Sequence, residues 1–257
     1  MWLAENIVAF RTIVIKEIMR FVRIWVQTLV PPAINAFLYM VIFGTLIGSQ
    51  IENMSGHPYI EYIVPGIIMM SVITNSYGNV VSSFYSTKFQ RNIEELLISP
   101  VSNFTILAGY VAGGVARGFT VGALVALVSL LFTDLQVHSF IHMLLIMFLT
   151  STLFSLGGFI NAVFARSFDD ISIIPNFVLT PLTYLGGIFY SISILPAFWQ
   201  KVSLVNPVLY MINGFRLGVL GESDIPVSVS YLVILAFIGV LGYWAMWLLR
   251  HGVGIRT

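Results

Sequence analysis

Long apolar runs alternate with short polar breaks along the whole chain. A helix needs about 20 mainly apolar residues to cross the hydrocarbon core of a bilayer. Six segments reach that length: 26–48, 61–85, 105–132, 140–164, 171–191 and 229–249. Polar stretches such as GSQIENMSGHP and ARSFDD separate several of them. The pattern predicts an all-α polytopic membrane protein, with residues 1–257 forming a single transmembrane domain.

Composition supports a lipid environment. The chain is 58% hydrophobic and 9% charged, whereas soluble domains carry about 25% charged residues. The net charge of +1 gives no reason to expect a nucleic-acid partner. The absence of cysteine from the sequence excludes disulfides and thiol nucleophiles.

The basic residues predict the orientation of the spans. Nine of the twelve Lys and Arg residues fall on one side: Arg11, Lys16, Arg20, Arg23, Lys88, Arg91, Arg166, Arg250 and Arg256. Basic residues concentrate in cytoplasmic loops. Both termini are therefore predicted to be cytoplasmic, and the segment between spans two and three is predicted to face the cytosol.

Residues 7–25 have the periodicity of an amphipathic helix that precedes the first span. At 100° per residue, one face collects Phe10, Val14, Ile18, Phe21, Val22 and Trp25. The opposite face collects Lys16, Arg20 and Arg23. Such segregation is typical of a helix lying in the membrane interface, with its basic side chains near anionic headgroups. The alternative is a buried helix whose charges are incidental.

The stretch FQRNIEELLISP predicts a short amphipathic helix, covering about residues 88–100, in the cytosolic loop. Phe89, Ile93, Leu96, Leu97 and Pro100 fall on one face, which can pack against the rest of the chain. The other face carries Arg91, Glu94, Glu95 and Ile98. An apolar residue among these charges favours a contact surface for a soluble partner. The alternative is a solvated helix with one stray apolar residue.

Arg117 is a charge near the middle of the third predicted span, where an arginine is costly unless it faces a polar interior. It is a candidate for lining a translocation path or holding an anionic group. Alternatively, it caps backbone carbonyls freed at a helix bend, such as one at Pro31-Pro32. Glycines in the same span make overlapping GxxxG spacings that favour close helix packing.

The sequence contains no recognisable catalytic motif. GxxxxGK[ST], GxSxG and HExxH patterns are all absent. His138 and His142 have the spacing of a metal-ligand pair, but no third ligand lies nearby in sequence, so interfacial histidines are the preferred interpretation. We therefore expect no metal, no cofactor and no catalytic site in this chain.

The segment between spans five and six is too apolar for a simple loop and too interrupted by proline and glycine for one span. Residues 192–220 are therefore predicted to form short re-entrant or interfacial helices on the outer face. The sequence LTPLTYLGGIFYSISILPAFW, followed by NPVLYMINGFR, covers this region and the end of span five. Together with the amphipathic first helix, the six spans and the charged cytosolic helix, it resembles the membrane subunit of type-2 ABC exporters.

That resemblance implies a homodimeric permease of the inner membrane, paired with two copies of a separate ABC ATPase subunit that holds ATP and Mg. The cytosolic helix, with Arg91, Glu94, Glu95 and Ile98, would insert into a groove on each ATPase. The helix carrying Lys16, Arg20 and Arg23 would support it. The implied activity is outward movement of an amphipathic drug, lipid or lipid-linked glycan by alternating access.

Two other classes of function compete with this interpretation. One is a stand-alone secondary transporter or channel without an ATPase partner. No Asp or Glu lies well inside any predicted span, which counts against proton coupling. The other is an intramembrane enzyme, for which the sequence offers no catalytic constellation.

Overall fold

The computed structural model describes residues 2–51, 53–135 and 137–254. Over these residues the chain is almost entirely helical, which confirms the all-α class. The exception is a small antiparallel hairpin that pairs Asn53–Met54 with His57–Pro58.

The helices follow one another with short connections. In chain order they are α1 (Trp2–Arg23), α2 (Trp25–Tyr39), α3 (Tyr59–Phe89), α4 (Asn92–Ile98), α5 (Asn103–Ser129), α6 (Phe140–Phe164), α7 (Asp170–Ile174), α8 (Thr180–Tyr184), α9 (Ala197–Val205), α10 (Pro207–Leu220) and α11 (Val227–His251). A π-helical stretch, Met40–Ile47, continues α2, and another, Pro175–Leu179, joins α7 to α8. A short 3₁₀ helix, Ile192–Ile194, precedes α9.

Four helical segments of the described chain are long and apolar enough to cross a bilayer. They are Trp25–Ile47, Asn103–Ser129, Phe140–Phe164 and Val227–His251. These segments agree with a protein that crosses the membrane several times.

The other two predicted spans differ in character from these four. Helix α3 has 31 residues, which is ample length, but it carries many polar side chains. The predicted span 171–191 is helical only as far as Tyr184, in three short pieces that begin at Asp170. The full six-span layout therefore stays a prediction.

Helix α3 is the central element of the fold and packs against α5, α6 and α10. Its contact with α5 is close because glycines of α5 leave room for α3 and α6. A Cβ added at Gly118 would lie 2.2 Å from the Ser76 hydroxyl oxygen. The GxxxG spacings of the sequence therefore coincide with close helix contacts.

Two backbone features set the directions of the amphipathic helices. Ile24 leaves the helical region (φ −109°, ψ 37°) and separates α1 from α2. Arg91 adopts a left-handed conformation (φ 61°) and turns the chain from α3 into α4. Such a conformation is uncommon for a residue other than glycine. By contrast, α2 continues as a helix through Pro31 and Pro32.

The segment predicted to be re-entrant contains α9 and α10. Helix α10 is mostly buried and packs against α6, α11 and α3. Asn206 caps its first turn by accepting a hydrogen bond from the Val208 amide at 2.9 Å. Whether this helix pair enters the membrane from the outer side stays a prediction.

Candidate functional site

Helix α4 rests on the protein through a narrower apolar face than the sequence predicts. Ile93 is its anchor and is only 1% exposed, while Leu96 and Leu97 are half-buried. Phe89 and Pro100, assigned to the same face, are instead exposed. The prediction for these two is wrong because they lie outside the helix proper, which begins at Asn92 and ends at Ile98.

The opposite face of α4 points away from the protein. Arg91, Glu94 and Glu95 are exposed, and Ile98 is 85% exposed. Beside this face, the exposed rings of Phe89 and Phe168 contact each other with centroids 5.3 Å apart. An exposed surface that mixes charge with large apolar side chains is suited to binding another protein.

Lys88 fastens the base of α4 to the end of α6. Its ammonium donates hydrogen bonds to the carbonyl oxygens of Val163 at 2.6 Å and Ala165 at 2.9 Å. These carbonyls belong to the last turn of a helix, where no intrahelical partner remains. Burial, followed by the nearby charge of Arg166, lowers the pKa of Lys88. The lysine thus holds the α3–α4 junction against α6.

One of the three basic residues of α1 is not placed as the sequence predicts. Lys16 and Arg23 are exposed. Arg20 instead turns toward α3, where its guanidinium donates to the main-chain and side-chain oxygens of Asn79, both at 2.8 Å. The prediction fails for Arg20 because α3 offers hydrogen-bond acceptors at that height.

A fully buried carboxylate lies beside Arg20. Glu17 is 0% exposed, and its side chain lies 3.5 Å from the Arg20 guanidinium. The Ser83 hydroxyl donates to the other carboxylate oxygen at 2.5 Å. Gly113 of α5 makes space for Glu17, because a Cβ there would lie 2.4 Å from the Glu17 Cβ. The i, i+3 spacing of Glu17 and Arg20 is the sequence signal for this pair.

A stripe of buried polar side chains runs along α3 beneath these contacts. Its members are spaced four residues apart, which places them on one helix face. They are Ser71, Asn75, Asn79, Ser83 and Thr87. This α3 polar stripe is visible in the sequence as a four-residue repeat of small polar residues within an apolar segment, but hydropathy alone does not single it out.

The α3 polar stripe contacts two arginines, Arg20 through Asn79 and Arg117 through Asn75. The Arg117 guanidinium donates to the Asn75 side-chain oxygen at 3.0 Å. Among the described residues this is its one hydrogen bond, its Nε has no partner, and no carboxylate lies within ion-pair distance. The described residues thus show no bond from Arg117 to a carbonyl of α2, as the alternative capping role would require.

Arg117 lines a cavity of about 390 Å³ between α2, α3, α5 and α8. Most of the other lining side chains are polar or aromatic. They include Gln27, Asn35, Tyr39, Ser71, Thr74, Asn75, Thr180, Thr183 and Tyr184, with Pro31, Pro32 and Met70 completing the wall. We call this space the Arg117 cavity.

The two histidines with metal-ligand spacing have separate surroundings. His142 packs its ring against Tyr231, with centroids 5.8 Å apart. The ring of His138 lies beside Gly221. Within the described part of the chain, no group of three His, Asp or Glu side chains is placed to hold a metal ion.

Comparisons with known proteins identify the family of the chain. The family model described as "ABC-2 type transporter" matches residues 8–220. The inner membrane transport permease YadH of Escherichia coli K12 is 58% identical over 251 residues, covering 97% of this chain and 98% of the relative. Nodulation protein J of Rhizobium meliloti is 22% identical over 218 residues, covering 84% and 83%. The chain therefore belongs to the ABC-2 type transporter family.

Proposed function

We propose that the chain is the permease subunit of an ATP-driven exporter in the inner membrane, with both termini in the cytoplasm. Two copies of the chain would assemble with two copies of a separate ABC ATPase. The complex would move an amphipathic substrate outward by alternating access. Membership of the ABC-2 family supports this proposal, as do relatives named as an inner membrane transport permease and a nodulation protein.

The observation that carries the proposal is the exposed face of α4. The helix is held at its base by buried Ile93, while Glu94, Glu95 and Ile98 project outward. A solvated helix gains nothing from an 85% exposed isoleucine. A docking helix gains apolar contact area from Ile98 and orientation from the two carboxylates. We therefore assign Arg91, Glu94, Glu95 and Ile98 to the ATPase contact.

The packing provides a route from α4 into the membrane domain. Helix α4 follows directly on α3, and Lys88 ties their junction to α6. Helix α3 in turn contacts α1 through Asn79 and the Arg117 side chain through Asn75. A displacement of α4 on ATP binding would reach the Arg117 cavity through α3, which is one continuous helix.

The layout of the spans completes the proposal. Six spans require α3 to cross the membrane as span two and the α7–α8 path to cross as span five. The short helices α9 and α10 would then form the outer re-entrant region. The buried polar stripe on α3 is compatible with a span, because all five side chains are buried and Asn75, Asn79 and Ser83 bond to α5 or α1.

The test is recovery of ATPase activity with the affinity-tagged full-length chain, purified from its own host in mild detergent. The variant Glu94→Lys/Glu95→Lys should recover at least about tenfold less activity, because reversing interfacial charges typically costs a few kcal/mol. Asp134→Lys is the matched control, an exposed acid in the α5–α6 connection at the far end of α3, and should recover as much as wild type.

Thermal unfolding separates a docking defect from misfolding. The double variant should unfold at the wild-type temperature, because buried Ile93 is untouched. Equal ATPase recovery by wild type and the double variant would remove α4 from the contact. A wild-type chain that transports without any co-purifying ATPase would favour the stand-alone transporter or channel instead.

A further inference from the structure

Arg117 is half-buried, and within the described residues no carboxylate pairs with its charge. It lies near the middle of α5, and its guanidinium contacts the uncharged amide of Asn75. The nearby Arg20 has the same sign of charge and so adds repulsion. A cation at mid-depth of a membrane helix is costly unless it is paired or hydrated in a cavity. An unpaired cation that faces a cavity is therefore a candidate site for an anion.

A second copy of the chain could not supply the missing anion at that depth. No Asp or Glu lies well inside any of the predicted spans. The fully buried carboxylate of Glu17 already pairs with Arg20 and Ser83. A counterion for Arg117 is therefore expected from outside the protein chain.

The walls of the Arg117 cavity indicate what kind of molecule brings it. The wall that includes Arg117 also carries the amide side chains of Gln27 and Asn35, which can donate hydrogen bonds. Another part of the wall is aromatic. The phenol oxygens of Tyr39 and Tyr184 lie 3.0 Å apart, and both rings pack against Phe189.

We propose that the Arg117 cavity binds the anionic headgroup, a phosphate or carboxylate, of an amphipathic molecule. Arg117 and the neighbouring amides hold the headgroup, and the aromatic wall contacts the apolar body. The identification of that molecule as the transported substrate rests on the proposed exporter function. The binding of an anionic headgroup does not rest on that function, because every group that lines the cavity belongs to this chain.

Binding can be measured without the ATPase. The full-length protein is placed in phosphatidylcholine nanodiscs and titrated with dodecyl phosphate or, as the cationic counterpart, dodecyltrimethylammonium. Wild type should retain the phosphate at least about tenfold more tightly than the cation, and Arg117→Gln should lose at least about tenfold in affinity for the phosphate. Arg117→Lys should keep part of that affinity, since lysine keeps the positive charge but lacks the planar guanidinium with its paired N–H donors.

Asn75→Asp gives an independent variant that keeps Arg117. It places a carboxylate where the guanidinium now meets an amide, so the protein neutralises its own charge and phosphate binding should fall to the Arg117→Gln level. Lys201→Gln, an exposed basic residue on α9, is the matched control and should bind as wild type does. Equal binding of both probes by wild type, or undiminished phosphate binding in Arg117→Gln and Asn75→Asp, would overturn the proposal.

A further arm identifies the source of the anion. If the cavity binds a transported substrate and not a membrane lipid, phosphatidylglycerol added to the nanodiscs should not displace dodecyl phosphate. Displacement of the probe would overturn the cargo assignment and identify a resident lipid, while the anion site would stand. If the wild-type chain recovers no ATPase activity but still binds the phosphate, the exporter proposal alone is refuted.

Discussion

The Arg20 guanidinium donates to the Asn79 side-chain oxygen at 2.8 Å, and this bond joins α1 to the centre of α3. The same group lies 3.5 Å from the buried carboxylate of Glu17. One arginine thus pairs with a carboxylate on its own helix and donates to the side-chain oxygen of Asn79 on α3. The first helix is thereby part of the packed domain.

Arg20→Gln should destabilise the protein because it leaves Glu17 buried beside no cation. Removing one partner of a buried ion pair costs about 3–5 kcal/mol, and partial exposure of Arg20 reduces the expected loss to about 1–3 kcal/mol. Thermal unfolding in detergent should show a lowered Tm. Arg23→Gln, an exposed residue one turn away, should change little. If Glu17→Gln/Arg20→Gln is no more stable than Arg20→Gln, the buried charge is not the cause.

Gly113→Ala should separate α1 from α5. The added Cβ would lie 2.4 Å from the Cβ of Glu17, an atom next to the backbone that cannot swing away. Such overpacking typically costs about 1–3 kcal/mol. Gly78→Ala is the control, because a Cβ at Gly78 meets no heavy atom within 4 Å. A Gly113→Ala protein as stable as the Gly78→Ala protein would contradict the close contact.

A reporter inserted at Ser55 should be external, and one fused after Thr257 should be cytoplasmic. Ser55 lies in the hairpin before α3, and α4 follows the other end of that helix. The 31 residues of α3 span about 46 Å at 1.5 Å per residue, more than the thickness of the hydrocarbon core. Both reporters on one side of the membrane would overturn the proposed topology and with it the ATPase contact at α4.

The turn before α7 should loosen in acid. Hydrogen bonds from the Arg166 amide and from Ser167 lower the pKa of Asp170 below its ordinary value of 3.8. A lowered carboxyl pKa contributes stability that is complete above pH 3.8 and is lost as the pH falls through the folded-state pKa. Amide resonances of Arg166 and Ser167 should report the transition. In Asp170→Asn the same resonances should show no such transition, and an unchanged titration there would assign it to another group.

Sequence reasoning succeeded where local composition decides the structure. The fourth predicted span, 140–164, coincides with the helix Phe140–Phe164, and the last one, 229–249, lies within Val227–His251. A long apolar run has no better state in a bilayer than a helix that satisfies its own backbone. Short polar breaks then mark where each helix ends.

The same reasoning failed where the direction of a side chain depends on a neighbouring helix. The helical wheel placed Arg20 toward headgroups, yet Asn79 draws it inward. The wheel also put Phe89 on the packed face of α4, although α4 begins only after the left-handed turn at Arg91. Periodicity describes a regular helix and cannot anticipate such a turn.

The sequence by itself determined the helical class, the positions of the most apolar segments and the presence of a charge within α5, because each depends on residues adjacent in the chain. Only the tertiary structure decided that Glu17, Arg20 and the α3 polar stripe meet, and that Arg117 reaches Asn75 at the edge of a polar cavity. Lipid and protein are both apolar surroundings, so hydrophobicity along the chain cannot distinguish a helix face that meets lipid from one that meets another helix.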